Sequence, residues 1–267
     1  MNYDISQILD DWKYDLDSNV RRIRGDDGVA KIQVRVDQGA FQGILQLNLD
    51  GRPDGKRPHD RDFALDHYRD TLVDHERRAG GEEGFQLDHP SCEELFEEAA
   101  QIYGRYVFLL QIKDYERVIR DTERNMGCFE FLHQFAVLDE DRMNLQKWWP
   151  YIIRIHATAL SSQLADDEKF DRALRVLSES RQRIEALDHV DAEEFHAERE
   201  RSVEALDELA QEIRGRKPLS ERERLEKALE EAITDEAFEQ AAQLRDQLRD
   251  LPDTEPDTEP DTESDTE

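Results

Sequence analysis

The sequence predicts a mainly α-helical protein: a helical body with a small N-terminal β-hairpin, then a C-terminal helical hairpin and a disordered acidic tail. Apolar residues recur every three or four positions through most of the 267 residues, which is the spacing of a helix with one buried face. Two short runs, IQVRV and LQLNL, instead alternate apolar and polar residues across a glycine-containing turn. The final stretch, PDTEPDTEPDTESDTE at 252–267, is a charged repeat without apolar residues and cannot form a packed core.

Residues 1–90 form the predicted N-terminal α+β region. Helical spacing of apolar residues predicts a helix over 5–24, and GDDG at 25–28 is expected to end it. The β-hairpin follows, and DGRPDG at 50–55 combines Gly, Pro and Asp in a second tight turn. An amphipathic helix is predicted over 62–79. Because an isolated hairpin is only marginally stable, we expect helices to cover its apolar face.

Residues 91–214 form the predicted helical body. Ser91 and Glu94 have the spacing of a capping box, which predicts the start of a long helix. Pro150, in WWPY, is expected to break a helix, because it lacks an amide donor and restricts the residue before it. Helices are predicted from Ser91 to Tyr115, near 118–137, as a pair within 151–187, and near 191–213. The pair looks like one tetratricopeptide-type hairpin, but such arrays need about three units, so a plain helical hairpin is preferred.

The chain carries a formal charge of −29, with 65 Asp and Glu residues against 36 Lys and Arg residues. Only eight of the basic residues are lysine. An acidic, lysine-poor chain is typical of microbes that accumulate salt, because ions screen the repulsion between carboxylates. An ordinary acidic protein is the alternative. In either case the charge opposes non-specific binding to nucleic acid, which requires a Lys/Arg surface.

Several features indicate the cellular compartment. No stretch of 18 apolar residues occurs, so no transmembrane helix is expected. The N-terminal sequence MNYDISQILDDWKYDLD is acidic where a signal peptide is basic and apolar. Cys92 and Cys128 lack Cys-x-x-Cys spacing, and we interpret them as small buried hydrophobic residues in a reducing compartment. We therefore expect a cytoplasmic protein.

The sequence contains no recognisable active site. His59, His67 and His75 are eight residues apart, and on one helix this spacing separates them by more than two turns. GGEEG at 80–84 lacks the residues that complete a phosphate-binding loop. We expect no catalytic residue, no metal site and no cofactor, and we interpret the protein as non-enzymatic.

Polar residues after the second turn form a candidate ligand loop. A polar loop beside a sheet can hold a small anionic ligand. Turn chemistry alone explains Gly51, Pro53, Asp54 and Gly55, so a purely structural turn is the alternative. The candidate ligand residues are Arg52, Asp54, Lys56, Arg57 and His59.

Residues 219–251 have the pattern of two short amphipathic helices joined by a turn. Ser220 and Glu223 predict a capping box at the start of the first helix. Thr234 or Asp235, in the turn TDEA, can cap the second helix. Some thirty residues cannot bury enough surface to be stable alone. The hairpin is therefore expected to dock on its own chain, dimerise or bind a partner.

The second helix, FEQAAQLRDQLRDL, resembles the UVR motif, the C-terminal hairpin of the excinuclease subunits UvrB and UvrC. This hairpin also occurs in the activator of a protein-arginine kinase and in some Clp ATPases. The resemblance covers residues 221–251, and a turn like DGRPDG recurs in bacterial UVR-motif proteins. It implies face-to-face pairing with another copy of the hairpin, to which the Arg and Asp add polar contacts. The implied partner-binding residues are Leu225, Leu229, Phe238, Ala241, Ala242, Leu244, Arg245, Asp246, Leu248 and Leu251.

The leading functional hypothesis is a non-enzymatic interaction protein. It pairs through the hairpin with itself or with another UVR-bearing protein, in DNA excision repair or protein quality control. The alternative is a ligand-binding or catalytic N-terminal region around 31–60, with the hairpin as a docking tag. A third hypothesis is structural: the hairpin covers its own helical stack. The sequence lacks a P-loop, so ATP-driven repair activity is not implied.

Overall fold

The computed structural model describes residues 4–251, and the predicted acidic tail at 252–267 lies outside them. The described chain is mainly helical, with one small antiparallel sheet near the N-terminus, which confirms the predicted fold class. The chain divides into two compact units, with the boundary between Arg214 and Gly215. Within residues 4–251, no helix is both long and apolar enough to cross a membrane.

The sheet has three antiparallel strands, in the order β1-β2-β3. The strands are β1 (Val20–Arg24), β2 (Ala30–Gln38) and β3 (Phe41–Asn48). β2 and β3 are the predicted hairpin, in which Ile32 pairs with Leu47 and Val34 with Leu45. Gly39 in the connecting turn has a φ of 60°, a left-handed conformation that glycine adopts without strain. Ile32 is buried in a core cluster with residues of later helices, so helices cover this face of the sheet as expected.

Residues 5–24 do not form one helix, which corrects the sequence-based prediction. The short helix α1 spans only Ser6–Asp11, and β1 pairs along β2 instead. The Arg21 guanidinium donates to Gln33 Oε1 on β2 at 2.8 Å and lies 4.0 Å from the centre of the Trp12 ring. These contacts join residues distant in sequence, and they outweigh the local helical pattern. GDDG accordingly forms the turn between β1 and β2 rather than the end of a helix.

The rest of the first unit is helical. The helices that follow the sheet are α2 (Ala64–Ala79), α3 (His89–Gln111), α4 (Tyr115–Phe135), α5 (Asp139–Asn144), α6 (Trp149–Asp166), α7 (Phe170–Glu185) and α8 (Glu193–Arg216). α4 packs against both α3 and α6, and α6 packs against α7. Ile102 of α3 and Ile155 of α6 share a buried cluster with Ile32 of β2. This cluster joins the sheet to the helical layer.

Two helix starts differ from the prediction. Asp88, rather than Ser91, is the N-cap of α3, because its carboxylate accepts from the Ser91 amide at 3.1 Å. Pro150 lies in the first turn of α6 and begins this helix rather than breaking it. A missing amide N–H has no consequence at that position, since the first-turn amides have no acceptor within the helix.

The described part of the second unit is a helical hairpin. α9 spans Glu221–Thr234, α10 spans Phe238–Asp250, and the two helices pack against each other. The predicted capping box is present: Ser220 Oγ accepts from the Glu223 amide at 3.1 Å, and the Ser220 amide donates to Glu223 Oε2 at 2.7 Å. The predicted side-chain cap of α10 is wrong, because its N-cap is Ala237.

Candidate partner-binding site

Small residues form the interior of the helical hairpin. Ala232 on α9 and Ala241 on α10 are its buried residues. Methyl side chains at these positions let the two helix backbones approach closely. Helical spacing places a set of leucines on the same faces as the two alanines. These leucines, all partly buried, are Leu225, Leu229, Leu244 and Leu248. Leu251, which follows α10 in an extended conformation, is also partly buried.

The other predicted partner-binding residues, Phe238, Ala242, Arg245 and Asp246, are exposed. Phe238 is the first residue of α10 and exposes 70% of its surface. Ile233, near the end of α9, exposes 49%. Successive helical residues are turned by about 100°. Counted from the buried Ala232 on α9 and the buried Ala241 on α10, this rotation places Ile233 and Phe238 on the same side of the hairpin. We call Ile233, Phe238, Ala242 and Arg245 the Phe238 face.

Ile233 is the residue of this face that the sequence-based list omits. Its position eight residues after Leu225 suggests the buried stripe of α9. Eight steps of about 100° turn it some 80° away from Leu225, however, and toward solvent. The sequence offers one signal for this exposure. Ile233 directly follows Ala232, and one residue further along a helix is turned by about 100°, away from the contact with α10 that buries Ala232.

The Phe238 face combines apolar side chains with a cation. Arg245 has no ion-pair partner among the residues that the structure describes. The neighbouring Asp246 pairs with Arg249 at 3.0 Å. Residues 238–251 contain three carboxylates and two guanidiniums, so α10 is close to neutral in a chain of charge −29. A second acidic protein therefore meets little repulsion at α10, and Arg245 is available to a carboxylate of that protein.

Backbone hydrogen bonds fix the turn between α9 and α10. Glu236 has a left-handed φ of 58°, its amide donates to the Ile233 carbonyl at 3.2 Å, and the Ala237 amide donates to the Ala232 carbonyl at 2.8 Å. These two bonds form a Schellman motif. The α3–α4 and α6–α7 connections have the same bonds. Their left-handed residues are Lys113 and Glu168.

The three equivalent turns each place an aromatic residue at the start of the following helix. These residues are Tyr115, Phe170 and Phe238. Tyr115 is partly buried against the cluster that contains Ile32, and Phe170 is partly buried against a second core cluster. Phe238 occupies the same position in its hairpin but is largely exposed. Two of the three equivalent aromatic residues therefore pack against a core cluster, and the third, Phe238, is exposed to solvent.

The candidate ligand loop is anchored to the helices by Arg52. The Arg52 side chain is buried; Nη1 donates to Glu98 Oε2 at 3.2 Å, and Nε donates to Asp54 Oδ1 at 3.1 Å. Glu98 also accepts from the amides of Ala64 and Leu65, at 2.6 and 3.1 Å, at the start of α2. Burial raises the pKa of Glu98, against the opposing effect of these amides and Arg52. Arg52 and Glu98 therefore hold the turn, α2 and α3 together.

The other basic side chains of the candidate ligand loop also face carboxylates. The pairs are Lys56 with Asp54 at 3.9 Å, Arg57 with Asp62 at 3.3 Å, and His59 with Glu94 at 3.0 Å. The structure thus brings Arg52, Asp54 and Lys56 together, whereas Arg57 and His59 have separate partners. An incoming anion has to compete with these carboxylates, and the ligand loop stays a prediction.

His59 and His67 stack on each other, which their spacing in sequence does not suggest. Their ring centroids are 3.9 Å apart, because His59 lies in a short 3-10 turn before α2 rather than on that helix. Burial, and then the nearby His59, lowers the pKa of His67. Between Asp4 and Leu251, no group of three or more His, Cys, Asp or Glu side chains is arranged to hold a metal ion.

Comparison with known proteins identifies the hairpin. Residues 220–251 match the UVR family model, the UvrB/uvrC motif. The match spans both helices of the hairpin and confirms the resemblance carried by the FEQAAQLRD sequence. No curated protein and no solved structure matches the chain.

Proposed function

We propose that this chain is a non-enzymatic interaction protein that pairs through α9 and α10 with a second UVR-type hairpin. The exposure of Phe238 carries the proposal, since the two equivalent aromatic residues of the first unit are packed. The match to the UVR motif supports the same role. The second hairpin belongs to another copy of this chain or to a different UVR-bearing protein, in DNA excision repair or protein quality control.

Pairing supplies the burial that the hairpin lacks. α9 and α10 each bury one alanine deeply. Folded segments of fewer than about 40 residues usually need a partner, a disulfide or a metal. Covering one large apolar side chain such as Phe238 contributes about 1.5–3 kcal/mol. In a symmetric pair the face is buried twice, so Phe238 and Ile233 of both copies contribute to the same interface.

The proposal includes a cytoplasmic location. Cys92 and Cys128 are both free and buried. Burial raises the pKa of the Cys92 thiol to about 12, so this residue is a weak nucleophile. Unpaired, unreactive thiols support packing roles in a reducing compartment.

The decisive comparison uses two full-length variants with the same added charge. Phe238→Glu places a carboxylate in the centre of the Phe238 face. Gln247→Glu places one on the exposed opposite side of α10, nine residues or about 180° further along the helix. We expect Phe238→Glu to weaken pairing about 30-fold, from a loss of about 2 kcal/mol, and Gln247→Glu to leave it unchanged.

Two measurements distinguish the two kinds of partner. Sedimentation velocity over a concentration series measures self-association, and affinity capture from native lysate with mass spectrometry detects other UVR-bearing proteins. Circular dichroism establishes first that both variants keep their helices. Undiminished pairing of Phe238→Glu, or capture only of proteins without a UVR hairpin, contradicts the proposal. Deletion of 219–267 adds a structural control: if the first unit unfolds, the hairpin serves its stability rather than a partner.

A further inference from the structure

β3 is an edge strand of the sheet in the first unit, and β2 is the only described strand that pairs with it. An edge strand exposes a row of backbone N–H and C=O groups that a further strand can use. Soluble proteins commonly block such edges with charged residues or proline. The opposite edge, β1, carries Arg21, Arg22 and Arg24. β3 carries neither a charged residue nor a proline, so its edge lacks this protection.

Hydrogen bonds at the end of β3 show which of its backbone groups face outward. In an antiparallel ladder, the groups of alternate residues face the partner strand and those of the residues between them face away. The Leu49 amide donates to the Ala30 carbonyl of β2 at 3.0 Å, so the odd-numbered residues of β3 bond toward β2. The Asn48 amide faces away and donates to the Pro53 carbonyl at 2.8 Å. The turn that follows β3 therefore occupies the outer edge at this end of the strand.

Gln42, Ile44 and Gln46 are the other even-numbered residues of β3. Their outward backbone groups have no hydrogen-bond partner within residues 4–251. The three residues are symmetric about Ile44, so an antiparallel copy of the same strand presents a matching row. Ile44 then faces Ile44 of the second copy, and Gln42 faces its Gln46. Because each facing pair exchanges hydrogen bonds in both directions, a second β3 satisfies all the outward groups that the turn leaves accessible.

The exposed side chains of β3 fit the same register. Phe41 and Leu45, which lie on one face of the strand, expose 60% and 47% of their surface. Gly43 lies between them, and a Cβ placed on it would come within 3.2 Å of Phe41 Cζ, so the ring lies over the glycine. With Ile44 opposite Ile44, Leu45 of each copy lies opposite Gly43 of the other and meets the Phe41 ring. Pairing therefore covers both exposed apolar side chains.

The charge of the protein favours this strand as the contact between copies. Residues 38–49 form the longest stretch without Asp, Glu, Lys or Arg, in a chain of charge −29 in which 38% of the residues are charged. Two acidic copies repel each other least where this stretch meets itself. We propose that β3 pairs edge to edge with β3 of a second copy of this chain, antiparallel and with Ile44 opposite Ile44. This contact belongs to the first unit and is independent of the proposed pairing of the hairpin.

The first test measures self-association by sedimentation velocity over a concentration series. Two separate contacts between copies build assemblies larger than dimers, and the full-length Phe238→Glu variant should leave the dimers that β3 forms. Ile44→Lys and Ile44→Asp, each added to this variant, should weaken the dimer about 30-fold, because two apolar contacts are lost and like charges face each other. An equimolar mixture should dimerise again, since opposite charges then face each other. Ala79→Lys, at an exposed position of α2, should change nothing.

A disulfide test covers the case in which a charge at position 44 prevents folding. Facing residues of this kind have Cα atoms about 5.5 Å apart, a separation that a disulfide bridges. Mild oxidation should link full-length Ile44→Cys into dimers and should not link Ala79→Cys; the native Cys92 and Cys128 are both buried.

Three results overturn the proposal. The first is a Phe238→Glu variant that stays monomeric at all concentrations, which leaves the edge of β3 to a strand of another protein. The second is failure of the Ile44→Lys and Ile44→Asp variants, both folded by circular dichroism, to dimerise when mixed. The third is equal disulfide linkage of Ile44→Cys and Ala79→Cys, which shows random collision rather than a fixed register.

Discussion

Arg105 and Asp121 form a two-point ion pair in the interior of the first unit. Arg105 Nε donates to Asp121 Oδ2 at 2.7 Å, and Nη2 donates to Oδ1 at 2.8 Å. Both side chains are almost fully buried, with 0% and 1% exposed. Arg105 Nη1 donates to the carbonyls of Asn48 and Gly51, at 3.0 and 2.7 Å. One guanidinium therefore joins α3, α4 and the turn that follows β3.

Replacing Arg105 with methionine should destabilise the first unit by about 2–4 kcal/mol, because the buried Asp121 keeps only its pair with Arg120, at 3.0 Å, and the carbonyls of Asn48 and Gly51 lose their donor. The chain has three tryptophans, Trp12, Trp148 and Trp149, all in this unit, so urea unfolding followed by tryptophan fluorescence reports on it. Arg117→Met is the control, because Arg117 is partly exposed and its buried partner Asp114 keeps a second cation, Arg22, at 2.9 Å, so the loss should be less than about 1 kcal/mol. Equal effects of the two substitutions would contradict this account.

Replacing Arg52 with alanine should lower stability, by about 2–4 kcal/mol, rather than change only a ligand affinity. The reason is that Glu98, which caps the start of α2, loses its cation. Lys56→Ala is the matched control in the same loop, because its side chain is exposed and its contact with Asp54 is long. If Arg52→Ala unfolds at the same urea concentration as the wild type, the anchoring role is wrong and the ligand-loop hypothesis gains support.

His89 should make stability depend on pH. It lies 3.0 Å from the buried Asp141, and this hydrogen bond, with the negative charge, raises the pKa of His89 above its ordinary value of 6.5. Because the pKa of His89 is raised in the folded state, the His89–Asp141 pair contributes fully to the free energy of unfolding below pH 6.5. This contribution is lost as pH rises through the raised pKa. Urea unfolding of His89→Gln between about pH 6 and pH 9 should lack this decline relative to the wild type. An identical pH profile for both proteins would exclude this role.

Salt should stabilise the protein if the acidic composition is an adaptation to it. The formal charge of −29 repels itself in dilute buffer, and ions screen that repulsion. We expect Tm to rise from dilute buffer to molar KCl. Sucrose at matched osmolality is the control for a non-ionic effect, and a flat or falling Tm in KCl contradicts the hypothesis.

The sequence predicts those features that depend on local patterns. Alternation in IQVRV and LQLNL identifies β2 and β3, and Ser220 with Glu223 identifies the start of α9. β1 is missed because its pairing partner, not its own sequence, makes it a strand. Arg105 and Glu98 are missed for the same reason, since their partners lie far away in sequence. Their one local signal is a charged residue inside an otherwise apolar stripe of α3.

The sequence identifies the UVR motif, but it does not show which residues of the motif face solvent. The motif residues are visible in FEQAAQLRDQLRDL, and the family comparison confirms the motif. Which of these residues line the contact between α9 and α10, and which face solvent, depends on the angle at which the helices meet. The structure assigns Ala241 to the interior and Phe238 to the surface.

Site-specific photocrosslinking from position 238 tests the central claim most directly. The full-length protein carries p-benzoylphenylalanine in place of Phe238, with the same group at exposed Gln247 as the control, and is irradiated in native cells before mass spectrometry. The account predicts crosslinks from position 238, and not from 247, to a UVR-type hairpin of a second protein molecule. Crosslinks from position 238 only to residues 1–214 of the same molecule would contradict it, because Phe238 would then be covered by its own chain.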